Sequence, residues 1–397
     1  KIGEHMTSLQ IRDNLEQTYS DVFTPEVLST LSYLSDLNNE RLAIMKKRME
    51  RRQKRAENLE MINFLNPDDK IDGTDLTVQD ARSGKFIGPE IPADLQCQWI
   101  QGTGPGAKPN TTIERSIRNV AYALLSGADG WMFDGEDALG QISTMSLDNQ
   151  RNLKLAISAE DIFLQAAEQV ANEMNKWSVS FLGRETINDW QKQLNFTTKI
   201  FRARGLHLDD RHIRDEKGVA LSASLVDVTA YVVNNYKNLQ AKDSSIVLYL
   251  PKIQTAEEAA LWNNILSTLE AYLGLPIGTI KVYVLVEQLE ATFQLMEIRA
   301  ALGVHFVGYN TGRWDYINSV ADAVAWNNNF INPNIESITM TYGYMKNYED
   351  RVRRAVNTSD FNGNFALWQG GMEPNIPVGT ESGVADSMAK AVNGAKR

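Results

Sequence analysis

Cysteine is almost missing from this 397-residue chain. The single thiol, Cys97, excludes an intramolecular disulfide framework and suits a reducing compartment, which points to the cytoplasm. With only four histidines beside it, a thiolate zinc site lacks ligands, so any metal should be held by oxygens. Long apolar runs are missing too. Nothing reaches the roughly 18 residues of a membrane-spanning helix, so no membrane partner is expected. There is no excess of basic residues: 40 Lys and Arg against 50 Asp and Glu leave a net charge of -10, which argues against a nucleic-acid binder. Lys1 to Met6 read as a cloning remnant, and no signal segment follows them. What remains is an ordinary globular composition, 43% hydrophobic and 23% charged, sufficient for two domains or one large α/β barrel with additions.

Residues 7–62 have helical spacing, with Leu28, Leu31, Leu34 and Leu37 recurring every third position. Met45 to Ala56 is strongly basic. It reads either as a site for an anionic partner or, because Glu50, Glu57 and Glu60 interleave with the cations, as the solvated face of a long helix. Residues 63–95, punctuated by Pro67, Gly73, Gly84, Gly88, Pro89 and Pro92, form an irregular linker, so 7–95 make one N-terminal region. From 96 to 397 short apolar runs alternate with helical stretches such as 112–126, 256–274 and 288–302. The runs are 98–100, 130–133, 199–201, 246–250, 280–286, 305–308 and 364–368. Several are continuous rather than alternating, as parallel strands buried on both faces require. A (β/α)8 TIM barrel fits better than a dinucleotide fold, because no run is followed by Gly-x-Gly-x-x-Gly. Seven strands can be counted, not eight. Residues 141–196 read as a polar, helical insertion decorating the barrel.

The working residues of a barrel cluster at the C-terminal ends of its strands. The second strand here ends in Asp134-Gly-Glu136-Asp137, the third in Arg202-Ala-Arg204-Gly205 with His207 beyond, the fourth in Pro251-Lys252, the fifth in Glu287, and the sixth in Asn310 to Asp315. Glu287 and Asp315 end adjacent strands, one β-α-β step apart. Two hard oxygen ligands in an open mouth suit Mg²⁺; helix N-terminal acids are the bland alternative. Arg202 could stabilise an oxyanion or form a rim ion pair, and Arg204 has the same strand phase, so pattern does not choose between them. Asp137 either orients metal-bound water or caps the next segment. His207 is as readily a rim residue as a catalytic one. The Gly102 to Gly106 loop resembles a phosphate cradle but lacks the Lys-Ser/Thr ending, and Trp368 and Met372 either wall a pocket or pack in the core.

Ile91-Pro-Ala-Asp-Leu95, Arg204-Gly-Leu-His-Leu208, Tyr249-Leu-Pro-Lys252, Leu275-Pro-x-Gly-Thr-Ile-Lys281, Gly312-Arg-Trp-Asp-Tyr-Ile317 and the Gly370-Gly-Met372 to Pro377 segment resemble the malate synthase family, nearest its shorter A-type form. They run in family order through most of the chain. The resemblance implies a (β/α)8 barrel with an N-terminal helical clasp. It also implies Mg²⁺-dependent condensation of acetyl-CoA with glyoxylate, or a related 2-oxoacid, to malate and CoA. It implies Glu287 and Asp315 as metal ligands, Arg202 as the catalytic arginine, and Gly312, Arg313 and Trp314 as the turn whose amides bind the oxoacid carboxylate. Asp137 matches the acidic pair after strand two.

Three departures stand out. The family's Cys before Gly-Arg-Trp-Asp is Thr311 here. Its Phe in the acidic motif is Gly135, which implies an altered pocket floor. Its catalytic base lies in a C-terminal domain, preceded by an eighth-strand segment, and neither is seen in this sequence; Asp386, in a polar tail, is a poor substitute. The expectation is therefore a longer natural polypeptide, an oligomer, or another chain completing the barrel. A malyl- or citramalyl-CoA lyase on the same scaffold and a catalytically incomplete homologue are the alternative functions.

Overall fold

The computed structural model describes residues 8–96, 99–101, 111–137, 139, 144–371 and 379–397. In chain order the N-terminal region supplies β1 (Gln10–Ile11), α1 (Leu15–Thr18), α2 (Pro25–Leu34), α3 (Leu37–Asn58) and α4 (Val78–Arg82). Next come β2 (Trp99–Gln101), α5 (Ile113–Leu124), β3 (Gly130–Asp134), α6 (Met145–Ile157), α7 (Asp161–Leu182), α8 (Trp190–Phe196) and β4 (Thr198–Arg202). Then follow β5 (Asp209–Arg214), β6 (Ala220–Ser222), α9 (Ala223–Ala241), β7 (Ile246–Leu250), α10 (Ala256–Leu273), β8 (Ile280–Val286) and α11 (Leu295–Leu302). The remainder is β9 (Phe306–Thr311), α12 (Arg313–Ala323), α13 (Gly343–Val356), β10 (Leu367–Gln369) and α14 (Glu381–Lys396).

Seven strands form one parallel sheet in the order β10-β9-β8-β7-β4-β3-β2, which is chain order once β5 and β6 are set aside. The sheet is a curled, open TIM barrel. Period-two alternation divides its side chains. Met132, Ile200, Val247, Tyr249, Tyr283, Leu285 and Val307 fill the inside with Leu95. Trp131, Phe133, Phe201, Leu248 and Val284 face the helices. Local signals set the helix limits. Thr24 caps α2 ahead of Pro25, and Thr255 with Glu258 forms a capping box that starts α10, which stops at Gly274. At the N-terminal end of the barrel the buried His305 ring meets Glu270 Oε1 at 2.6 Å and Asn263 Oδ1 at 2.7 Å. Glu270 also accepts from the main-chain N–H of Gly278 and Ile280, tying α10 to the starts of β8 and β9.

Two readings of the N-terminal region need correction. Gln10 and Ile11 are not helical: they form β1, which pairs antiparallel with β5, itself paired to β6, in a separate three-stranded sheet. The second is the reading of the basic run on α3 as a site for an outside anion: the run is largely exposed, as a solvated face is, but four of its cations are taken by acids of the chain itself. Lys47 meets Glu257 at 2.6 Å, Arg48 meets Glu258 at 3.3 Å, Arg52 meets Asp322 at 2.6 Å and Arg55 meets Glu290 at 2.5 Å. The run's anionic partner is thus the chain's own barrel, through α10, the 289–293 turn and α12. Between β3 and β4, α7 packs on α5 and α6 on α9. Among the described residues no helix is long and apolar enough to cross a membrane.

Candidate active site

Parallel strands bring their last residues to one rim. Asp134 ends β3 in register with Arg202 at the end of β4; Lys252 and Glu287 follow β7 and β8, and Asp315 lies in the first turn of α12. Asp134, Arg202, Glu287 and Asp315 line a cavity of about 180 Å³, with the Lys252 ammonium against the last two. All seven residues proposed from the sequence, Asp137, Arg202, Glu287, Gly312, Arg313, Trp314 and Asp315, line this one space, with Met132, Tyr249 and Leu285 of the inner core among its walls.

The geometry separates the two arginines. Arg202 makes a bidentate pair with Asp134, Nε to Oδ1 at 2.9 Å and Nη2 to Oδ2 at 2.6 Å, and lies 3.3 Å from Asp137 and 3.6 Å from Glu136. Burial opposes its charge, but Asp134 and its acidic neighbours outweigh that and raise its pKa further. Arg204 turns away to Asp227 and Asp210. Asp137 is half exposed, and its N–H joins that of Glu136 on Asp134 Oδ1. Glu136, buried beside these groups, has its pKa pushed up to about 7 by desolvation, against the pull of Arg202 and Lys252.

Glu287 is fully buried, and its Oε1 accepts from the Lys252 N–H at 2.8 Å. Burial drives its pKa well up, opposed by Lys252 and reinforced by Glu136 and Asp315. Asp315 is half-buried, yet its hydrogen bonds from Glu287 and Lys252 hold its pKa below the usual carboxylate range despite desolvation. The two carboxyls therefore act as a coupled pair, Glu287 pushed up and Asp315 held down. The Lys252 ammonium lies against both, 2.8 Å from Asp315 Oδ2 and 3.2 Å from Glu287 Oε1.

The turn before α12 explains its glycine. A Cβ on Gly312 would lie 3.1 Å from both Glu287 Cβ and Leu285 Cδ1, so a side chain there would push the turn off the end of β8. Gly312 offers no cap to α12, and the first N–H groups of a helix have no partner inside it. Tyr348 of α13 fixes the turn, accepting from Gly312 N at 2.8 Å while its hydroxyl donates to the Val286 carbonyl. The Arg313 side chain leaves the pocket for the Ile338 carbonyl. Sequence reading missed Tyr348, which arrives from a helix 36 residues later. It noted Lys252 only as a strand end.

Other candidates are elsewhere. His207 is exposed and packs over Gly205. Trp368 lies in β10 against the outer core. Asp386 is exposed on α14 and pairs with Lys390 at 2.9 Å. Cys97, the Gly102 to Gly106 loop and Met372 are outside the described residues. At Gly135, where an altered floor was expected, a Cβ would meet Phe201 at 2.5 Å and the Arg202 carbonyl at 2.7 Å. Phe201 fills that room from β4, stacked on Tyr231, on the helix side of the sheet.

No group of three or more His, Cys, Asp or Glu among the described residues is arranged to hold a metal ion. Glu287 and Asp315 nevertheless place two carboxylates in mutual hydrogen-bond contact beside an open cavity. That donor set fits Mg²⁺, which keeps several coordination positions for water or substrate oxygens.

A family model described as malate synthase, TIM barrel domain, matches residues 198–396. The chain belongs to the malate synthase family. Malate synthase A of Escherichia coli (strain K12) is 34% identical over 287 residues, 72% of this chain and 48% of that protein. Malate synthase of Dictyostelium discoideum is 30% identical over 374 residues, 94% of this chain and 61% of that protein. The glyoxysomal malate synthase of Gossypium hirsutum is 29% identical over 376 residues, 93% of this chain and 58% of that protein. The chain thus spans between 48% and 61% of the length of these malate synthases. The matched barrel region begins at the first residue of β4 and contains Arg202, Lys252, Glu287 and the 312–315 turn; Asp137 precedes it.

Proposed function

We propose that this site condenses acetyl-CoA with glyoxylate, or a closely related 2-oxoacid, to give malate and free CoA, with Mg²⁺ held by Glu287 and Asp315. The convergence of that carboxylate pair with Arg202 across one cavity carries the reading. Bound there, the ion would polarise the oxoacid carbonyl as a Lewis acid. Main-chain N–H groups of Arg313 and Trp314, at the positive end of α12, bind the oxoacid carboxylate, while Gly312, its own N–H held by Tyr348, leaves room for it at the turn. Arg202, locked by its two bonds to Asp134, presents its remaining donors to the acetyl carbonyl oxygen and stabilises the negative charge that develops when the methyl proton leaves. Asp137, open to solvent on one side, orients water at the mouth. No described residue is assigned as the base. The single cysteine fits a cytoplasmic setting.

The test is release of CoA thiol from acetyl-CoA and glyoxylate. Thiol should appear only with Mg²⁺, and Glu287→Gln should lower the rate at least about a hundredfold. Condensation without free thiol would indicate a malyl-CoA lyase type of enzyme instead. Metal binding with no turnover of either kind would indicate a catalytically incomplete homologue.

A further inference from the structure

The Lys252 ammonium stands among four carboxylates: 2.8 Å from Asp315 Oδ2, 3.2 Å from Glu287 Oε1, 3.5 Å from Glu136 Oε1 and 3.8 Å from Asp137 Oδ1. An ammonium has only three N–H donors, so these contacts cannot all be full hydrogen bonds. The two nearest carboxylates are those read above as metal ligands. A divalent ion bound to both would lie within a few ångströms of the ammonium, and two cations that close inside a partly desolvated cluster repel strongly.

The main chain of Lys252 is pinned from both sides. Its N–H donates to Glu287 Oε1 at 2.8 Å, and its carbonyl accepts from Arg48 Nη1 of α3 at 2.9 Å. Between these bonds the residue holds a left-handed φ of 56°, a conformation that a side chain disfavours and that persists only where its surroundings impose it. The backbone is therefore fixed while the four-carbon stem can swing. Glu136 Oε1 and Asp137 Oδ1, both already within 4 Å of the ammonium, offer it anionic partners other than the two nearest.

We propose that Lys252 is a resident cation of this cluster, one that a divalent ion must displace from Glu287 and Asp315 toward Glu136 and Asp137, so that it sets the metal affinity of the site. The proposal rests on the reading of Glu287 and Asp315 as metal ligands. It makes Lys252 a positioning residue that keeps the carboxylates gathered without metal and weakens binding when metal arrives.

Calorimetric titration of Mg²⁺ into the full chain, with no substrate present, tests it. Lys252→Met should bind Mg²⁺ about tenfold or more tightly than the parent, because a competing charge has been removed. Lys252→Arg, which keeps the charge, should stay near the parent. Adding Glu287→Gln to Lys252→Met should abolish the gain, which ties it to this site. Should Lys252→Met fail to fold, Lys252→Gln carries the same expectation. Unchanged or weaker binding by the neutral variants, in a parent that does bind Mg²⁺, overturns the proposal and leaves the metal site standing. Equal tightening by Lys252→Arg also overturns it, since charge would not be the cause. Binding seen only in the neutral variants supports it. No binding by the parent or any variant removes the metal reading and this proposal together.

Discussion

Lys199 and Arg202 are three residues apart on β4, and both are buried, yet their surroundings treat the charge in opposite ways. Arg202 ends the strand among Asp134, Glu136 and Asp137, which hold it cationic. Lys199, near the strand's start, donates to the carbonyls of Leu194 and Thr197, both at 2.9 Å. Full desolvation, with Lys242 adding to it, lowers its pKa from 10.5 to about 7. Between those values the unfolded chain binds a proton that the folded chain does not, so stability rises with pH through this window. Below it the penalty is complete, and near pH 10.5 it is gone. Urea denaturation of the parent and Lys199→Met at pH 7, 8.5 and 10 should show the difference between them moving in the parent's favour as pH rises. The limiting slope is about 1.4 kcal/mol per pH unit. A pH-independent difference would mean that Lys199 stays charged when folded.

At this scale the sequence told much about strand ends and little about what meets them. Arg202, Glu287 and Asp315 could be nominated because strand direction alone puts them at the mouth. The choice of Arg202 over Arg204 needed Asp227 and Asp210, which lie on α9 and β5 and claim Arg204. The place of Lys252 depends on a left-handed φ, and that of Tyr348 on how α13 packs; local pattern encodes neither.

At the scale of elements, the clasp helix α3 is held to the barrel by ion pairs of unequal burial. Side-chain exposure is 16% and 9% for Arg55 and Glu290, against 70% and 49% for Arg52 and Asp322. Removing one partner of a buried pair strands the other charge, whereas an exposed pair is screened by water. Arg55→Met should therefore cost about 3 kcal/mol, and Arg52→Met less than about 1 kcal/mol, in urea denaturation at pH 7. The reverse ranking would sink this account of the clasp. The strands β7 and β8 were legible to the residue, because continuous runs such as Ile246–Leu250 have little use except a strand buried on both faces. The β1-β5-β6 sheet was not. Its strands are two to six residues long, β5 is largely polar, and β1 finds its partner about 200 residues away. The basic run was legible as a helix but not as a clasp, since its partners are scattered over three later segments.

At the scale of the whole molecule, the sheet is firmest in its middle. β7 and β8 are paired on both sides along most of their length, while β10 pairs only with β9 and β2 only with β3 among the described residues. Amide hydrogen exchange should follow that order, with central amides of β7 and β8 slower than those of β10 by about a hundredfold or more. Uniform protection across the sheet would contradict it. The count of seven strands was readable from apolar runs alone. The clasp has a further consequence, for the timing of assembly. Arg52 and Asp322 are 270 residues apart, and Lys47 and Glu257 are 210 apart. At roughly 5–20 residues per second, translation leaves α3 without these partners for roughly 10–50 s after it emerges. This long helix is made well before the segments that hold it, and its closure is the kind of long-range contact that slows folding. A ribosome paused before residue 257 would present a helix whose cationic side has nothing to close upon.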